Sequence, residues 1–194
     1  MLSVARSSAV SGIGDPELLA LAVTGNADAF DALLGGRLDR LYRMAYTITR
    51  SESDARDATQ NACVQLWREL PRLRDRTRFD PWLSQILVNS CRMLLRTRRR
   101  GSVREISIDD PVRPLPGDGP ASPAEAERVS EADLIRASFA RLDVPTRSLL
   151  AMHYVEGQPL ADIARQMGQP VGTVKWRLSN ARRALETALE VERR

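Results

Sequence analysis

The sequence predicts an all-α protein of two small helical domains, joined by a Pro/Gly-rich acidic linker. Three observations carry this. Apolar residues recur at three- and four-residue spacing through most of the 194 residues, the period of one helix face. No stretch alternates with period two for long; VREISI (103–108) is the only strand candidate and is too short to build a sheet. From Asp109 to Pro123, DDPVRPLPGDGPASP holds five prolines and two glycines in fifteen residues, which removes backbone donors and bars helix. The expected layout is a flexible N-terminus (1–14), a helical unit (15–104), a linker (105–129) and a second helical unit (130–194).

Each helix has its own signals. Asp15-Pro16 reads as an N-cap with proline in the first turn of ELLALAV, and Gly25-Asn26 ends that piece. From Ala27 the residues Phe30, Leu33, Leu34, Leu38, Leu41 and Ala45 form one apolar stripe, read as one helix. Ser51 or Ser53 caps DARDATQNACVQLWREL, where Ala55, Ala58, Ala62 and Leu66 share a face, and Pro71 stops it. LPRLRDRTRFDP is a basic loop. After Pro81 comes WLSQILVNSCRMLLRTRRR, with Trp82, Leu83, Ile86, Leu87 and Leu94 inward. Beyond the linker, AERVSEADLIRASFARL turns Leu134, Ile135 and Phe139 inward, and Pro145-Thr146 starts RSLLAMHYV, which Gly157 ends.

LADIARQMGQPVGTVKWRLSNARRAL closes the chain's readable pattern. Ala164 is small where two helices cross, Gly168 suits a positive-φ turn, and Val174, Leu178, Ala181 and Leu185 bury one face of the next helix. That arrangement is a helix-turn-helix. Its second helix presents Thr173, Lys175, Trp176, Arg177, Asn180, Arg182 and Arg183, the side chains that phosphate and base-edge contacts require. An exposed tryptophan is unusual, so Trp176 either packs on the preceding bundle or stacks on a sugar or base.

Composition narrows the function classes. No apolar run approaches the roughly 20 residues of a membrane span. The N-terminus MLSVARSSAVSGIG has no apolar core or cleavage site, so a cytoplasmic protein is expected. Two cysteines, Cys63 and Cys91, read as reduced thiols, and a single histidine, His153, leaves no metal cluster or catalytic array. No cofactor, small-molecule substrate or enzyme activity is expected. Of the 29 basic residues all but Lys175 are arginine, a bias mostly compositional in origin. Their placement says more. The formal charge is −2 over residues 1–67, +8 over 68–104, −6 over 105–135 and +4 over 136–194, two basic blocks separated by an acidic one. Such clusters mark a polyanion partner.

Several of these segments resemble bacterial RNA polymerase sigma factors of the small extracytoplasmic-function group. GTVKWRLSNARRAL resembles the family's region four; AYTITRSESDARDATQNACVQLWREL, with Asp57 and Gln60 in its Asp-x-x-Gln signature, resembles region two, as does FDPWLSQILVNSCRMLLRTRRR. Together they cover nearly all of residues 15–190. The resemblance implies that core polymerase docks on Asp54, Asp57, Gln60, Asn61 and Gln65. It implies that the minus-ten promoter element is opened and held by Arg72, Arg74, Arg76 and Arg78 of the loop, with Asn89, Arg96, Arg98, Arg99 and Arg100 tracking phosphates near the duplex junction. Region four would read the minus-thirty-five element, Arg177 and Arg182 touching the DNA backbone, Arg183 beside them, and Thr173, Lys175, Trp176 and Asn180 placed for sequence choice. The acidic linker would thread towards the RNA exit path, and a dedicated anti-sigma protein is implied as a further partner. Arg56, Asn61, Cys63, Met93 and Trp176 depart from the family's usual residues, making the docking face less acidic than typical. No appended module is expected after residue 194. The alternative is an autonomous helix-turn-helix regulator, possible on the second unit alone; the polar DARDATQ face argues against it.

Overall fold

The computed structural model describes residues 14–102 and 123–193, with side chains described for 14–99 and 131–193. It is all-helical over those residues: α1 Asp15–Val23, α2 Ala27–Gly35, α3 Leu38–Thr49, α4 Glu52–Glu69, α5 Phe79–Ser102, α6 Pro123–Ala140, α7 Val144–Leu150, α8 Leu160–Met167 and α9 Val171–Glu192. The strand candidate at 103–108 and linker residues 105–122 lie outside the described residues.

Local chemistry sets most boundaries. Asn26 caps α2, its side chain accepting from Ala29 N at 2.9 Å. The single helix expected from Ala27 to Ala45 is two, α2 ending at Gly35 and the break falling at Gly36–Arg37. Each glycine costs about 1 kcal/mol of helix propensity. Beside them Arg37 donates to Leu33 O at 2.8 Å, Asp80 at 2.7 Å and Asp15 at 2.6 Å. Asp15, expected as a cap, is instead the first residue of α1, with Gly14 in the cap position. Ser51, not Ser53, caps α4, accepting from Asp54 N at 3.3 Å. The basic loop contains two 3₁₀ turns, Leu70–Arg72 and Arg76–Arg78, the second capped by Asp75. Asp143 caps α7, accepting from Thr146 N at 2.9 Å. α7 runs on into a π turn, Ala151–Val155.

The N-terminal unit is held by burial of apolar side chains. Leu41, Met44, Ile48, Leu66, Leu83 and Leu87 are fully buried, and Ala55, Ala58 and Ala62 let α4 pack closely on its neighbours. Each large side chain contributes about 1.5–3 kcal/mol. Two expected core residues are not there: Leu38 is 41% exposed, having moved to the start of α3, and Ile135 is 49% exposed. In the C-terminal unit Gly168 has φ +61, the turn that lets α8 end and α9 cross it, with Ala164, Val174, Leu178 and Ala181 buried at the crossing.

The two units also touch, which the linker did not announce. The buried Arg147 of α7 donates from Nε to Ile48 O at 2.8 Å and from Nη1 to Leu142 O at 3.0 Å. Gln166 of α8 donates to Pro81 O at 2.8 Å, and Ser84 of α5 to the Glu156 carboxylate at 2.9 Å. Arg40 Nε faces the same carboxylate at 3.4 Å. These contacts place the helix-turn-helix beside the start of α5.

Candidate nucleic-acid interface

The helical period puts Asp57, Gln60 and Asn61 on one exposed face of α4. Gln65 continues that face but is half-buried, with Nε2 donating to Glu69 at 2.9 Å. Asp54 does not belong with them. Its side chain is 3% exposed and sits 2.7 Å from Arg98 Nη2 on α5. Burial pushes its carboxyl above the usual range; Arg98 pulls the other way and Asp57 adds to the rise. Cys91 lies on the same side of α5, and burial drives its thiol up to about 12, so it is not a nucleophile.

Between the exposed faces of α4 and α5 runs a groove of about 1060 Å³. It brings Asn61 and Gln65, expected for polymerase, together with Asn89, Arg96 and Arg98, expected for the minus-ten element. It also has walls that sequence reasoning missed: Val64 and Arg68 on α4, and Arg92 and the 70%-exposed Met93 on α5. The missed signal was the i, i+4 run Gln60–Val64–Arg68 on α4. Cations, carboxamides and two exposed apolar side chains in one concave surface suit a sugar-phosphate chain with an unstacked base.

The loop arginines stand apart from the groove. Arg72 and Arg76 are exposed on the 3₁₀ turns and Arg74 is exposed between them; Arg78 is half-buried, its Nε without a partner among the described residues. Arg99 is exposed at the far end of α5, close enough to Arg147 to disfavour its charge. The Arg100 side chain is outside the described residues.

At the other pole α9 presents its N-terminal half. Val174 and Leu178 anchor it, leaving Thr173, Lys175, Trp176 and Arg177 exposed. Trp176 is 63% exposed, which decides against packing in the bundle. Asn180 is half-buried and accepts from Arg183 at 3.2 Å, while Arg182 lies over the Tyr154 ring at 5.5 Å. The outward face is therefore strongest over residues 173–177. Among the described residues no group of three His, Cys, Asp or Glu could hold a metal, and no helix is long and apolar enough to cross a membrane.

The family comparisons assign both poles. The Sigma-70 region 2 family matches residues 35–101, and the Sigma-70 region 4 family matches residues 132–185. The ECF RNA polymerase sigma factor SigM of Mycobacterium tuberculosis is 34% identical over 175 residues, covering 90% of this chain and 84% of its own. The chain belongs to the ECF sigma factors of RNA polymerase. The RNA polymerase sigma-H factor of Pseudomonas aeruginosa is 29% identical over 91% of this chain and 94% of its own. Among solved structures, CnrH in complex with the cytosolic domain of CnrY aligns at TM-score 0.64 and 26% identity, over 91% of this chain and 97% of that one. The sigma factor RpoE of Bartonella quintana, in complex with the anti-sigma factor NepR, shares the fold at TM-score 0.67 and 21% identity, over 84% and 97%. This ECF sigma factor is thus a polymerase-associated initiation subunit of transcription and not an autonomous regulator. The α4 face, superfluous in a free helix-turn-helix protein, falls within its region 2 match.

Proposed function

We propose that this sigma factor docks on core polymerase with the exposed α4 face, holds the opened minus-ten strand with the 72–78 loop and the α4–α5 groove, and reads the minus-thirty-five duplex with α9. The carrying observation is that concave cationic groove, continuous with the Asp57–Gln60–Asn61 face on α4. Unstacking costs a few kcal/mol per base, so an opener must offer single-strand contacts, and the arginines, Asn89 and Met93 supply phosphate, base-edge and stacking partners. On α9, Arg177 contacts backbone, while Thr173, Lys175 and Trp176 lie nearest the base edges. The linker joins the two readers, and residues 15–104 and 130–194 act as separate recognition units. No catalytic step is assigned to the chain: its role is non-enzymatic, at the cytoplasmic polymerase. Likeness to a sigma factor solved in complex with an anti-sigma factor supports a dedicated anti-sigma protein as regulator.

Reconstitution with purified core polymerase and promoter DNA tests the whole reading. Asp57→Arg is expected to weaken core binding with the helical circular dichroism unchanged; unaltered affinity removes Asp57 from the interface. Arg177→Ala is expected to weaken binding on all promoter sequences and lower the salt slope by about one. A sequence-selective loss makes Arg177 a base reader instead.

A further inference from the structure

Asp54 and Arg98 stand 44 residues apart and meet across the α4–α5 seam at 2.7 Å, the carboxylate almost wholly buried and the guanidinium 57% exposed at the edge of the groove. The contact is asymmetric. Asp54 is covered and out of reach of a partner protein, whereas more than half of the Arg98 side chain is exposed. Seated in the first turn of α4, the carboxylate gains from the positive end of that helix and from the Ser51 hydroxyl. The contact is an ion pair without an aligned hydrogen bond, so the buried carboxylate restrains where the guanidinium sits at the groove edge, a restraint that a lone arginine on a helix surface does not have. We infer that Asp54 is a positioning residue for DNA, holding Arg98 aimed at a phosphate bordering the groove, and is not a polymerase contact. This rests on the proposed reading of the groove as the minus-ten site.

A purely stabilising role fits less well. Burial raises the Asp54 carboxyl despite Arg98, so its ionised form is less favourable in the folded protein than in water. Charge alone does not explain it either: a carboxylate beside a phosphate-binding arginine lowers the local positive potential. Its remaining use is geometric.

The test uses holoenzyme assembled from core polymerase and the full chain, measuring promoter affinity against salt. Arg98→Ala is expected to lower affinity and reduce the salt slope by about one, because one phosphate contact is lost. Asp54→Asn is expected to lower promoter affinity roughly three- to tenfold with the salt slope kept, since Arg98 remains charged but loses its aim. The double variant is expected to match Arg98→Ala alone. Core affinity and the melting temperature of Asp54→Asn are expected to equal or exceed those of the native protein. Arg98→Lys, which keeps the charge without the fork, is expected to behave as Asp54→Asn does, and guards against a folding failure at position 54. Unchanged or raised promoter affinity in Asp54→Asn, additive losses in the double variant, or a loss confined to core binding overturns the inference. If Arg98→Ala itself leaves promoter binding intact, the groove reading fails instead.

Discussion

The interior of the N-terminal unit and the seam between the two units are both buried, yet only the seam adds a set of polar contacts to its apolar packing. Inside the unit, α3, α4 and α5 meet through leucine, isoleucine, methionine and alanine. Such contacts leave no polar group in need of a partner and gain with every ångström of area removed from water. The seam is different. The apolar cluster runs on through it, but Arg40, Ser84, Arg147, Glu156 and Gln166 also meet there, and Arg40 Nε, Glu156 Oε1 and Gln166 Oε1 are buried without a hydrogen bond among the described residues. An unsatisfied buried polar atom costs about 1–3 kcal/mol, which offsets part of what the apolar packing at the seam contributes. Arg147 sharpens the contrast: burial and the nearby Arg50 both disfavour its charge, and only backbone carbonyls receive its protons.

Leu87→Ala should have the largest effect, about 2–5 kcal/mol of lost stability, seen as a lower urea midpoint for the N-terminal helices. A loss as small as that of a seam variant would break the distinction. Arg147→Ala should come next. It strands the Ile48 and Leu142 carbonyls for about 2 kcal/mol, and its signature is separation of the units, a larger hydrodynamic radius at unchanged helical content. Gln166→Ala should be milder, about 1 kcal/mol, with faster amide exchange in α8 and none gained in α4. The smallest effect concerns pH. Burial alone would raise the Asp80 carboxyl, but Arg37 and Arg40 outweigh it and hold it below its usual value. A lowered carboxyl contributes stability that is complete above the unfolded value near 4 and is lost as pH falls through the lower folded value. Asp80→Asn should therefore flatten the acid limb of the melting profile below about pH 4, while leaving the profile near neutrality parallel to that of the native protein.

Asp54 and Asp57 show how far the sequence reaches into the site. Three residues apart on one helix and both acidic, they read alike as docking residues. In the folded chain Asp57 is exposed and Asp54 is covered by α5. Helical spacing says which residues share a face; it does not say what lies over the face's edge. Trp176 had two readings in the sequence, and its exposure settles which side of α9 it occupies. Val64 and Arg68 shared only an i, i+4 run, and with Arg92 they became groove residues because α4 and α5, separated in the chain by residues 70–78, lie side by side.

The sequence by itself determined the helices, the helix-turn-helix and the placement of charge. Periodicity, a serine cap at the start of α4 and Gly168 as a positive-φ turn all act within about four residues, a range that local sequence encodes. The caps at Asn26 and Asp143 act over the same range but emerged only with the structure. The glycine pair weakens the helix locally, but the tertiary structure decided the break at Gly36–Arg37, where Arg37 finds Asp15 and Asp80. It also decided the burial of Asp54, the α4–α5 groove and the Arg147 seam. Each of those depends on partners 22 to 99 residues away, and which distant groups meet is settled by how the apolar faces pack.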